Sequence, residues 1–127
     1  MNEKEIIIST LPEKTECPLT ERGKYEIINA IKFFKKEKIK IDLIFSSDLL
    51  RTTQTAEMIA RVLDIETINF DKRLRDIQAG IYDGKSAGEY HSFWKKIDDR
   101  FVKRSDGGEN YNDVKIRMYE FLKEIDG

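Results

Sequence analysis

The sequence predicts an α/β domain in which a parallel sheet carries helices on its faces. Three observations predict it. Residues 42–60 begin as a buried-strand pattern (Leu43, Ile44, Phe45), break at Ser46-Ser47-Asp48, and run into a helical pattern with Ala56, Ile59, Ala60 and Leu63 on one face. Before that unit, the apolar β-branched run Ile6-Ile7-Ile8, following Lys4 and Glu5, reads as a buried parallel strand. Residues 66–70 then supply a third short strand, and strands alternating with helices are the pattern of a parallel sheet.

Taken in order, the first strand is followed by Thr20, whose hydroxyl can cap a helix over residues 21–38 with Ile27, Ile28, Ile31 and Phe34 on its buried side. Glu21 near its start and Lys35, Lys36 and Lys38 near its end suit the helix dipole. Residues 39–45 give the second strand and residues 48–63 the second helix. Between residues 86 and 101, Tyr90, Phe93, Trp94, Ile97 and Phe101 recur at helical spacing, an aromatic stripe that fits ordinary packing. His91, the sole histidine, falls beside that stripe and is expected on a helix surface. The loop of residues 104–110 is polar. Asn110 can cap a last helix that buries Val114, Met118, Phe121, Leu122 and Ile125.

Composition narrows the function classes. At 127 residues the chain is expected to form one domain, spanning 1–127. Lys plus Arg (23) nearly cancel Asp plus Glu (24), and both signs are interspersed, so neither nucleic acid nor an anionic membrane is an expected partner. A single cysteine, Cys17, excludes an intrachain disulfide framework and fits a reducing compartment. No apolar run approaches the roughly 20 residues that span a bilayer, and the first residues carry no secretory pattern. The expected location is cytoplasmic. No spacing of His, Cys or carboxylates suits a metal, and no cofactor is expected.

The polar turn before the second helix carries the candidate chemistry. Arg51 projects from the first turn of that helix, at the carboxyl end of a strand, where open α/β folds bind ligands. A cation is unexpected there, because the dipole favours anions. Two readings stand. An arginine beside exposed N–H groups makes an anion site, its planar fork matching phosphate or carboxylate; or it is a solvated side chain near a capping Ser or Asp.

The stretch Ser46-Ser47-Asp48-Leu49-Leu50-Arg51-Thr52-Thr53-Gln54-Thr55-Ala56 resembles a signature of the histidine phosphatase superfamily, which includes cofactor-dependent phosphoglycerate mutases and many small phosphatases. Three further stretches resemble the same family in the same order. Pro18-Leu19-Thr20-Glu21-Arg22-Gly23 is similar to the start of its first helix, Arg73 to Gly84 to its acid loop, and Gly107-Gly108-Glu109-Asn110 to its Gly-Gly-Glu-Ser turn. The resemblance implies a three-layer parallel-sheet phosphoglycerate mutase-like fold, here lacking the C-terminal strand of the family, with a lid at about residues 86–106. It implies Asp76, where the family usually has Glu, as proton donor, and Arg51, Arg75 and Glu109 as substrate-binding residues for a small phosphorylated molecule or inorganic phosphate. For Asp76 a plain surface pairing with Arg73 or Arg75 is the alternative.

One family motif is degenerate. Where the family carries Arg-His-Gly after its first strand, usually followed by Glu, this chain aligns Thr10, Leu11 and Pro12, then Glu13. The reaction implied by the resemblance has an imidazole attack phosphorus and hand the phosphoryl group to water or another hydroxyl. Leucine has no lone pair to offer, and losing an essential nucleophile costs on the order of a million-fold in turnover. The strand that would carry the family's second histidine is also absent from the 127 residues. Three function classes are therefore open. One is a phosphatase-like domain that is catalytically impaired but still binds phosphate. Another is an interaction module whose exposed sheet edge or lid stripe binds a protein; separately, a partner or a second copy could donate the absent strand. The last is an active phosphatase whose missing elements another chain supplies. The sheet could also close in another order, or the chain could be a fragment.

Overall fold

The computed structural model describes residues 6–11 and 17–126. Two compact units make up the chain: one is the continuous segment Cys17–Lys72, and the other joins the N-terminal residues to Arg73–Gly127.

The continuous unit runs α1 (Glu21–Lys36), β1 (Ile44–Ser46), α2 (Leu50–Leu63), β2 (Ile68–Phe70). Thr20 caps α1 as expected, its hydroxyl accepting the Gly23 N–H at 2.9 Å. The helix stops two residues earlier than its periodicity predicts. Lys38 takes a left-handed φ of 55°, the Lys38 N–H returns to the Lys35 carbonyl and the Ile39 N–H to the Phe34 carbonyl, a Schellman closure that satisfies the last carbonyls. Ile31 is buried, whereas Ile28, expected on the inner side, is exposed.

The same closure shortens the second strand. Ile39 is spent in the turn and the charged Lys40 and Asp42 pair with each other at 3.6 Å, so β1 is confined to Ile44–Ser46 rather than residues 39–45, and Leu43 is exposed. β1 pairs in parallel with β2, Ile44 opposite Ile68 and Ser46 opposite Phe70. The parallel pairing was expected; among the described residues the sheet has these two strands.

The N-terminal segment departs from its expected role. Residues 6–8 do not run as a buried parallel strand: Ile7 makes an antiparallel bridge to Ser86. Hydrogen bonds from Ile8 N to Lys85 O, Gly84 N to Ile8 O and Ala87 N to Ile6 O extend the pairing. Ile6 and Ile7 are exposed. Lys4 and Glu5 lie outside the described residues. The run of β-branched residues fixed an extended backbone but not its partner.

The core of this second unit is Ile77, Ala79, Tyr90 and Trp94, with Ile8, Tyr82, Phe93, Tyr111 and Val114 packed around it. Trp94 meets Phe93 edge-on with centroids 4.7 Å apart and Tyr90 at 5.8 Å, geometries favoured by aromatic quadrupoles. Burial pushes the Tyr90 phenol up to about 12, and its oxygen finds no partner of good geometry among the described residues.

The aromatic stripe of residues 86–101 is not one helix. Ser86 caps α3 (Ala87–Phe93), which ends where Trp94 turns out of helical geometry to enter the core. A short α4 (Asp99–Val102) follows, and Ile97 is 76% exposed and Phe101 48%. The Asp99 carboxylate takes the Lys96 N–H at 3.2 Å, a local bond that competes with helix continuation. His91 is exposed on α3, as expected.

The last helix, α5 (Tyr111–Asp126), starts with reciprocal bonds: Asn110 Oδ1 accepts the Asp113 N–H at 2.8 Å and Asp113 Oδ2 accepts the Asn110 N–H at 3.0 Å. Of its inner stripe Phe121 is buried and Val114 and Met118 are half-buried; Leu122 at the flank and Ile125 in the last turn are exposed, against expectation, because the core does not extend that far along the helix.

Arg104 forks onto Asp113 at 2.6 and 2.7 Å. This bond and the Asn110 N–H hold the Asp113 carboxyl down to about 2. The unfolded carboxyl titrates at about 3.9. The stability contributed by this group is therefore complete above that value and is lost as pH falls toward 2. Arg104→Ala is expected to lower the melting temperature at pH 6 and to converge with the parent in melts at pH 2; a deficit of equal size at both pH values would contradict this.

Candidate functional site

In the continuous unit the site is the turn from β1 into α2. Ser46 and Ser47 are buried, and Thr52 Oγ1 lies 2.7 Å from Ser47 Oγ and 2.9 Å from the carbonyls of Ser47 and Leu49. α2 begins at Leu50 rather than residue 48. The N-cap is Leu49, extended and buried, whose own side chain makes no capping hydrogen bond. The first N–H groups of the helix and the half-buried Arg51 share the first turn. Among the described residues nothing forms an ion pair with Arg51, while its carbonyl accepts from Thr55 Oγ1 at 2.8 Å. Gln54, one turn on, accepts the Leu19 N–H at 2.7 Å and ties the start of α1 to α2.

In the other unit, two clusters meet at Gln78. In the first, Thr10 is 5% exposed and its N–H and hydroxyl both donate to Asp83 Oδ1, at 2.5 and 2.6 Å. Its carbonyl accepts from Gln78 Nε2 at 2.8 Å, and its hydroxyl accepts the Ala79 N–H at 3.3 Å. Thr10 is thus fully engaged within the fold. Leu11 is half-buried, and Pro12 and Glu13 lie outside the described residues.

In the second cluster, Glu109 is held from two sides. Oε1 accepts the Gln78 N–H at 3.0 Å, and Arg117 forks across the carboxylate with two bonds of 3.0 Å. Asp76 is exposed and its Oδ1 accepts the Ile77 N–H at 2.8 Å. Arg73 pairs with Glu124 at 2.5 Å and lies 5.5 Å over the Phe121 ring. Arg75 is half-buried and engaged in an interaction of its own.

The structure therefore brings Asp76 and Glu109 into one network and places Thr10 in the adjoining one, while Arg51 belongs to the continuous unit. Sequence reasoning missed Asp83, Gln78 and Arg117. For Arg117 a signal existed: with Val114, Met118 and Phe121 it follows the i, i+3, i+4, i+7 spacing of the inner stripe, and a cation there must find partners. Among the described residues no group of three or more His, Cys, Asp or Glu side chains could hold a metal ion, and no helix is long and apolar enough to cross a membrane.

A strand-turn-helix with an arginine in the first helical turn, and a separate acid loop braced by a Gly-Gly-Glu turn, define the class. The histidine phosphatase superfamily (branch 1) family model matches residues 8–127, and the chain belongs to that family. Among curated relatives it is 32% identical over 115 residues to a protein of Photorhabdus laumondii named "probable phosphoglycerate mutase GpmB", a match covering 87% of this chain and 52% of that one. The chain spans about half the length of the curated relatives it matches. Among solved structures, the alpha-ribazole phosphatase from Shigella flexneri superposes with a TM-score of 0.77 at 18% identity, covering 96% of this chain and 60% of that one. The mycobacterial glucosyl-3-phosphoglycerate phosphatase in complex with inorganic phosphate gives 0.72 at 22% identity, covering 97% and 58%. These likenesses establish the fold, which is the phosphoglycerate mutase-like α/β class with a parallel sheet.

Proposed function

We propose that this histidine phosphatase-like domain binds inorganic phosphate or a small phosphorylated molecule, with Arg51 as its principal cation, and that the chain is catalytically impaired. The observation that carries the proposal is the first turn of α2, where helix N–H groups that the Leu49 N-cap side chain does not bond and a guanidinium without an ion partner among the described residues stand together. Family membership supports phosphate as the anion. Impairment is supported by Thr10 and Leu11 standing where the resemblance expects an arginine and a nucleophilic imidazole: a leucine cannot attack phosphorus, and the Thr10 hydroxyl is committed to Asp83. Asp76 keeps an exposed carboxyl that could hold or donate a proton, and Arg75 adds charge to its loop. A single thiol at Cys17 fits a cytoplasmic setting.

The test is a thermal melt with millimolar phosphate or vanadate, beside Arg51→Ala. Ligand at ten times its Kd stabilises the folded state by about 1.4 kcal/mol, which raises the melting temperature by roughly 3–8 °C for a domain of this size. The parent should shift by that amount and Arg51→Ala should not. An unresponsive parent overturns anion binding, and turnover of an aryl phosphate by the pure chain overturns impairment.

A second reading is favoured by the exposed Leu43 and Phe70 beside a two-stranded sheet. Here the sheet edge takes a strand from a second copy or a partner. Sedimentation at high concentration decides it, since a strictly monomeric chain rules out self-donation.

A further inference from the structure

We infer that the groove between α4 and α5 binds a small aromatic anion, a molecule with a flat apolar body and one carboxylate or phosphate, and that Arg100 and Lys115 hold its charge.

The groove lies within the second unit and does not involve the Arg51 turn. Ile97, Phe101, Tyr111 and Met118 supply its apolar surface, and Arg100 and Lys115 its charged groups. Its volume of about 460 Å³ falls in the range of small-molecule sites, roughly 300–1,000 Å³. The two walls are tied to each other. Asn112 Nδ2, on α5, donates to the Phe101 carbonyl at 2.7 Å, and the Phe101 and Tyr111 rings meet with centroids 5.8 Å apart. A cleft held by such contacts exists before a ligand arrives, which spares part of the ordering cost of binding.

The side chains say what fits. Two rings and the polarisable Met118 thioether favour a flat aromatic body over a flexible chain. The sign of its charge follows from what the neighbouring acids do. Asp99 is taken by Lys103 at 3.5 Å and Asp113 by the Arg104 fork, so Arg100 and Lys115 are left without a carboxylate partner among the described residues. Arg100 is also half-buried. A partly desolvated guanidinium is best satisfied by an oxyanion whose two oxygens match its fork.

The experiment titrates the full chain with naphthoate and with its uncharged analogue naphthylmethanol, reading calorimetry and the NMR signals of methyl-labelled methionines. For a ligand of this size on an open groove the dissociation constant should be about 0.1–1 mM, and the uncharged analogue should bind about tenfold more weakly. The Met118 methyl should shift with naphthoate, and the Met58 methyl, on α2, should not. Arg100→Ala and Lys115→Ala should each weaken naphthoate severalfold and leave naphthylmethanol unchanged. Lys36→Ala, which removes a charge from α1, should change neither. Equal binding of the two probes, or an equal loss in Lys36→Ala, overturns the inference, as does a Met118 methyl that moves no more than that of Met58. If Arg100→Ala fails to fold, Lys115→Ala, at a solvent-exposed position, decides it on the same readouts. Concentration-dependent association that shifts Met118 without any probe gives the groove to a second copy of the chain and likewise overturns the inference.

Discussion

Gly80→Ala is expected to cost more than about 3 kcal/mol, a large share of the 5–15 kcal/mol that holds a domain together. Gly80 has φ +59°, and a β-carbon there would lie 2.1 Å from the Asp106 carbonyl oxygen and 2.5 Å from Gly108 N. The left-handed backbone alone accounts for about 1–2 kcal/mol. The rest comes from the overlap, because the atoms met are backbone and cannot swing aside. Separating the segments would break the Ile81 N–H bond to Asp106 O and the buried Ser105 hydroxyl bond to Ala79 O, both below 3 Å. Gly107 isolates the first contribution: its φ is +72°, but a β-carbon would meet nothing closer than Gly80 Cα at 3.8 Å. Urea denaturation of both variants checks the argument. Gly107→Ala should lose about 1 kcal/mol, and equal losses would mean that the two segments do not approach as closely as described.

Trp94→Ala should destabilise by about 3–5 kcal/mol. The indole is 8% exposed and contacts Phe93 and Tyr90 edge-on, so its removal leaves a cavity that neighbouring rings cannot fill without losing their own contacts. Ile97, on the same apparent stripe in the sequence, should tolerate alanine within about 0.5 kcal/mol, given its 76% exposure. Guanidinium melts that rank the two alike would refute the division of that stripe into a buried helix end and an exposed turn.

The same pair of residues shows how far sequence patterns reach. Periodicity located α1, α2 and α5 because a buried face several turns long leaves a repeating signal. It failed where a helix terminates by local hydrogen bonding, at Lys38, Trp94 and Asp99, since such endings depend on single backbone geometries. The short strands were found by composition, yet the antiparallel pairing of Ile7 with Ser86 was not visible, because partner choice is decided by residues far away in sequence. Of the candidate site, the family pattern named Arg51 and Asp76. It did not name Asp83 and Gln78, because each acts through groups brought near only by folding, while Arg117 was marked only by its place on the apolar stripe of α5.

The hydrogen bonds of Thr10 span 73 residues to Asp83, and Arg117 enters later still. During synthesis the whole of Cys17–Lys72 emerges before the first of these partners leaves the ribosome. Its two parallel strands and two long helices can settle while the N-terminal residues wait with their donors still hydrated. Only with the arrival of α5 do Glu109 and Arg117 find each other and lock the loop between them. The segment that carries Thr10 thus stays open to competing chains and proteases until its partners at positions 78–83 have been made.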